Sequence, residues 1–251
     1  MRTTRWVVAL TVALVATVVA PAAVGAAPVT GNDISFPQCG HRYPATSAFG
    51  IVGVNDGRPY TANPCFVAEY RWALASGVVE YYVNTANPGT SDPYGYGLDA
   101  ARDAYAYATA RASAGPGHLW WLDVETANSW SPDKGANAAV IAGAIAFFRS
   151  LGVAVGIYST KYQWGLITGG VSIPAIPNWV PGAQSAAEAP SFCAARRSFT
   201  GGPVVMAQYT SGVDYDMICP GSSLPRPLPV APPPLSLPGL LGAIQAWLRS
   251  L

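Results

Sequence analysis

The chain has 251 residues, with 14 Lys and Arg against 13 Asp and Glu. Charged residues make up only 11%, well under the usual quarter, and no basic patch stands out, which argues against nucleic acid as the main partner. Eight Trp and an aromatic content of 11% in a weakly charged chain are compatible with sugar binding.

Arg2 and Arg5 precede an apolar run from Trp6 to Ala20, short for a membrane span, and Val24-Gly25-Ala26 resembles a small-residue cleavage site. Residues 1–26 are expected to be a signal peptide, so the mature chain is exported. Without Arg2 and Arg5 the count is 12 against 13, a net charge of −1. The even set Cys39, Cys65, Cys193 and Cys219 in an exported chain favours two disulfides. Sequence order suggests Cys39–Cys65 and Cys193–Cys219, with the two other connectivities open. No Cys-x-x-Cys occurs and only His41 and His118 are available, so no metal site is expected.

Strands and helices are then expected to alternate. Gly31–Phe36 and Phe49–Asp56 are strands, Asn63–Leu74 is a helix opened by Pro64, and Val78–Asn84 is a third strand. Leu98–Ala112 is an Ala-rich helix. His118 to Glu125 (HLWWLDVE) is an apolar strand that runs into two carboxylates. A long helix spans Ser131–Leu151, nearly apolar all round, as suits packing on a sheet. Val153–Tyr158 is a strand, Lys161–Ile167 a short helix, Pro177–Val180 a brief strand and 186–199 irregular or helical. Val204–Thr210 and Val213–Ile218 are the last strands, and the two-residue link Ser211-Gly212 makes them antiparallel. No internal repeat is visible. The expected fold class is α/β, an irregular eight-stranded TIM-like β/α barrel with its last strands antiparallel.

Residues 27–223 are thus expected to form one barrel domain. Leu224–Pro238 is a proline-rich linker, and residues 239–251 carry one apolar helical face through Leu240, Leu241, Ile244, Trp247, Leu248 and Leu251. That face docks on a partner or membrane surface, or folds back on the barrel; periodicity alone does not decide.

The strand ends carry the chemistry. In a strand, residues i and i+2 share a face, so Asp123 and Glu125 project together, and mutual repulsion plus burial should raise the pKa of one of them. Asp33 lies in the first strand, Asp56 ends the second and Asn84 the third. Tyr158, Trp179 and Gln208 lie on the next three, and Asp214 and Asp216 on the last. In a parallel barrel such positions gather at one mouth. Carboxylates and aromatics without a phosphate loop or nucleophile motif suit glycoside hydrolysis, in which one carboxyl protonates the leaving oxygen.

GNDIS, WWLDVET, VGIYS, the lone NW and AQYTSGVDYD resemble the family 25 glycoside hydrolases, over about Gly31 to Cys219. The resemblance implies a lysozyme-type muramidase on an irregular β/α barrel, with Glu125 as general acid, Asp123 as its partner and Asp33 and Asp214 completing the acidic pocket. It makes the substrate's own acetamido group a candidate nucleophile, so that no enzyme carboxylate need attack. Asp56, Asn84, Tyr158, Trp179, Gln208 and Asp216 are expected to bind substrate, with Asp216 standing where the family often has Asn. The third strand reads Tyr81-Tyr82-Val83-Asn84 where the family carries an aromatic-His element. The second reads Gly53-Val54-Asn55-Asp56 where it presents Arg-Ala-Thr-Glu or similar. The implied partner is cell-wall glycan (peptidoglycan), met by a secreted monomer at the cell wall without a cofactor. The alternative is a non-catalytic cell-wall glycan-binding protein on a hydrolase fold.

Overall fold

The computed structural model describes residues 27–45 and 47–223. The expected signal peptide, proline-rich linker and C-terminal helix lie outside the described residues. The strands are β1 (Thr30–Ile34), β2 (Gly50–Gly53), β3 (Val79–Asn84), β4 (Leu119–Asp123), β5 (Ala154–Tyr158), β6 (Asn178–Ala183), β7 (Val204–Thr210) and β8 (Asp214–Ile218). They close a barrel in sequence order. Neighbours from β1 to β7 are parallel, whereas β8 runs antiparallel to both β7 and β1. The helices are α1 (Phe66–Leu74), α2 (Pro93–Thr109), α3 (Lys134–Ser150), α4 (Lys161–Thr168) and the one-turn α5 (Ala189–Phe192).

The period of two along β4 divides the core. Leu119 and Trp121 join Phe49, Ile51, Trp179, Val205 and Met206 in a small cluster inside the barrel. Trp120 and Leu122 face the other way, into the larger cluster with Phe148, Ile141 and Trp164 from α3 and α4. Both tryptophans are fully buried, and each such side chain is worth about 2–3 kcal/mol of apolar transfer. Asp123 follows Trp121 by two and so faces the barrel axis, as the strand reading required.

Several boundaries moved for local reasons. α2 begins at Pro93, five residues before the expected Leu98, because the Asp92 side chain accepts the Gly95 N–H at 2.9 Å and Pro93 sits in the first turn. β2 stops at Gly53. Beyond it the Asn55 side chain takes over the pairing with β3, donating to the Asn84 carbonyl (2.9 Å) and accepting its N–H (3.0 Å). The link between β7 and β8 is three residues, Ser211–Val213, with Gly212 in the left-handed region (φ 76°). Helices α2 and α3 meet through backbone: a Cβ on Gly97 would lie 1.9 Å from the Val140 carbonyl oxygen, and one on Gly143 2.0 Å from that of Tyr94. The disulfides are Cys39–Cys65 and Cys193–Cys219.

Candidate active site

At the C-terminal end of the parallel strands a cavity of about 240 Å³ opens between the loops. Asp33, Asn84, Asp123, Glu125, Tyr158, Trp179, Gln208 and Asp214 line it. Asp216 is fully buried below, and Asp56 is exposed in the loop after β2, where only its backbone N–H is engaged, by Thr61 Oγ1 at 3.0 Å. The early end of β2 is what turns Asp56 away.

Four further residues line the cavity that the strand-end argument did not single out: Ser35, Phe36, Pro37 and Tyr82. Tyr82 had a signal in the sequence, since it stands two residues before Asn84 on one face of β3. The three others form the short turn after β1, whose role rests on packing. A Cβ on Gly53 would sit 2.3 Å from Ser35 Cβ and 2.8 Å from Tyr82 Cζ, so glycine alone lets this turn and β3 close on the mouth.

The side chains form a connected frame. Asn84 Nδ2 donates to Asp123 Oδ2 in a short contact. Asp123 Oδ1 is buried without a hydrogen-bond partner among the described residues. Tyr158 donates its hydroxyl to Gln208 Oε1 (2.7 Å), and Gln208 Nε2 donates to Asp33 Oδ2 (2.8 Å). Thr210 Oγ1 donates to Asp214 Oδ1 (2.7 Å) across the β7–β8 turn. Trp179 packs edge-on against Tyr158 (4.5 Å between centroids) and Trp121 (5.5 Å), which makes an aromatic floor. Past the cavity, Trp130 Nε1 donates to the Glu125 carbonyl (2.7 Å) and fixes the backbone that carries the acid.

Burial raises every shifted carboxyl here above its ordinary range. Asp123 is pushed well up by burial and then by the charge of Glu125. Glu125 is raised by burial, with Asp214 adding to it. Asp33 rises to about 7, first through burial and then through Asp214. Asp216 is raised well above its usual range by burial and by the adjacent Asp33. Neither Asp216 oxygen makes a hydrogen bond of ordinary geometry among the described residues, and the nearby Trp179 N–H only partly offsets the rise. Asp216 is the more deeply buried of the two, and the neighbouring Asp33 pushes it further up. The mouth therefore gathers carboxyls that burial and mutual repulsion push upward, the setting in which a carboxyl can serve as a general acid.

A family model described as lysozyme-like protein 1 matches residues 60–191, just over half of the chain. A probable GH family 25 lysozyme from Dictyostelium discoideum is 40% identical over 70 residues, 26% of this chain and 32% of that protein. The matched part thus spans about a third of this curated relative's length. Among solved structures, a muramidase from Trichobolus zukalii superposes with a TM-score of 0.59 at 21% identity, covering 78% of this chain and 95% of that one. A family GH25 lysozyme from Aspergillus fumigatus gives a TM-score of 0.54 at 16% identity, covering 76% and 94%. The barrel is the one those enzymes share, and the sequence from Tyr60 to Ser191 matches a single lysozyme-like family across β3, β4 and β5; the chain belongs to the lysozyme-like protein 1 family, on the family 25 glycoside hydrolase fold.

Proposed function

We propose that the protein is a secreted glycoside hydrolase of lysozyme type that cleaves the glycan of peptidoglycan, with Glu125 as general acid. The observation that carries this reading is the placing of Asp123 and Glu125 in one mouth cavity with Asp33 and Asp214, all beside an aromatic floor. Glu125 is half-buried and holds its proton above the ordinary range, so it is able to protonate the leaving glycosidic oxygen. Asp123 is fixed by Asn84, and its unpartnered Oδ1 is placed to accept an N–H of the substrate. An acetamido group held that way would be oriented for attack on the anomeric carbon as the bond to the leaving oxygen breaks. Asp33 and Asp214 supply negative charge where oxocarbenium character develops. The two disulfides suit an exported protein.

The test is to incubate the oxidised protein and its Glu125→Gln variant with purified peptidoglycan and to read soluble products by mass spectrometry. Wild type should release disaccharide-peptide fragments, and the variant should be slower by about a hundredfold or more, the scale of losing general acid catalysis. Equal rates would remove Glu125 from the role. Retention of both proteins on the glycan without any product would establish the glycan-binding alternative.

A further inference from the structure

A second cavity, of about 380 Å³, lies past the end of β5 and alongside Val180 and Pro181 of β6. Lys161, Tyr162, Pro181, Arg196 and Arg197 line it. Residues 27–223 contain ten Lys and Arg, and three of them meet here. None of the three forms an ion pair among the described residues, where Arg102–Asp99 is the one salt bridge. In a chain this sparsely charged, three unpaired cations around one concavity, with no acid in its lining, form a local positive field.

The cations are mounted on fixed elements. Arg197 Cζ stacks over the Phe192 ring at 4.0 Å, with Phe192 buried in α5, which leaves the edge of the guanidinium free to donate. The Cys193–Cys219 bond ties the start of this segment to the end of β8. Lys161 opens α4 directly after the capping Thr160. Such pre-placement lowers the ordering cost of binding. The concavity is also beside the acidic mouth. Tyr158 lines the mouth and Thr160 the second cavity, two residues on and about 7 Å away along an extended chain. Trp179 faces the mouth, and the next residue, Val180, faces the second cavity across the same strand.

We propose that this groove binds the carboxylates of peptide branches carried by the glycan whose sugar backbone occupies the mouth. It thereby selects peptide-bearing over bare glycan. The inference rests on the proposed function, which puts a glycan in the mouth. A sugar chain bound over Trp179 would carry a branch on a neighbouring residue past the wall of β6. There, fork-shaped guanidinium groups match carboxylates, and the exposed Tyr162 offers a flat apolar face to the branch.

The experiment is a binding comparison on the oxidised Glu125→Gln protein, in which turnover is suppressed. The probes are soluble glycan strands freed of phosphate polymers, with their peptides intact or removed. Peptide-bearing strands should bind about tenfold tighter, the scale of one charge-assisted hydrogen bond, and the advantage should shrink as salt rises. Adding Lys161→Ala and Arg196→Ala together should abolish the advantage; Arg197 is left in place because it packs on Phe192. Arg196→Gln, which keeps the local packing, should reduce it. A preference that survives these changes would place the branches elsewhere and overturn the groove. Equal binding of the two strands by the parent would overturn it as well, while leaving the proposed function standing. Binding of neither strand would overturn the proposed function and this inference with it.

Discussion

Glu80 gives the sharpest physical test of the barrel interior. It lies on β3, 4% exposed, with its Oε2 accepting Trp121 Nε1 at 3.0 Å. Burial lifts its pKa from 4.5 to about 7, and the Trp121 hydrogen bond only partly opposes this. The folded pKa is above the unfolded one, so between those values the native state holds a proton that the unfolded chain has lost. Stability is therefore highest below 4.5, falls as pH rises and has lost its full share above about 7. The shift corresponds to about 3 kcal/mol, a large part of a typical 5–15 kcal/mol total. Glu80→Gln mimics the protonated side chain and keeps the acceptor for Trp121. Urea denaturation of the oxidised protein should show the variant within about 1 kcal/mol of wild type at pH 5 and roughly 2–3 kcal/mol more stable at pH 8.5. Glu69, also buried and raised to about 7, titrates in both proteins, so the difference isolates Glu80. Equal destabilisation of the variant at both pH values would refute the reasoning, because it would mean that Glu80 is native as a paired anion.

Other expectations follow from the same geometry. Asp216→Asn retains a donor toward Asp33 but removes the titrating proton. It should keep activity near neutral pH within about threefold and flatten the alkaline loss of stability, because a raised carboxyl costs stability as pH rises. Asp216→Leu should lose activity, and a pH–rate profile beside pH-dependent denaturation separates the two; identical profiles for Asn and wild type would refute the raised Asp216 carboxyl. Gly97→Ala would drive a Cβ against the Val140 carbonyl, which cannot move aside, and so should lower stability by about 2 kcal/mol, or roughly 5 °C in Tm by calorimetry.

Period-two alternation and strand-end logic made the barrel legible, because both depend on neighbours in sequence. Asp123 and Glu125 share the mouth for that reason, and Trp120 and Trp121 part to opposite sides of the sheet. What escaped depends on how strands end and pack. Asp56 left the mouth because Asn55 replaces a rung of the β2–β3 ladder with its side chain, and no spacing rule announces that exchange. Ser35 and Tyr82 reach the cavity through the missing Cβ of Gly53, a three-dimensional fit invisible in the GVND run. Glu80 sat in plain view inside the third strand. Its burial became apparent only when the register set it beside Ile51, with Trp121 reaching it from β4.

The reversal of the final strand has a consequence for how the molecule is held. β1 begins at the floor of the barrel and runs toward the mouth, and Thr30 pairs with Met217 near the end of β8. The two tethers of the domain thus emerge side by side on the face opposite the carboxylates. Whatever joins the barrel upstream of Ala27 or downstream of Ser223 attaches there, like a handle on the base of a cup. A pull on either end of the described barrel is taken up by the paired β1 and β8 at its base, on the face away from the carboxylates.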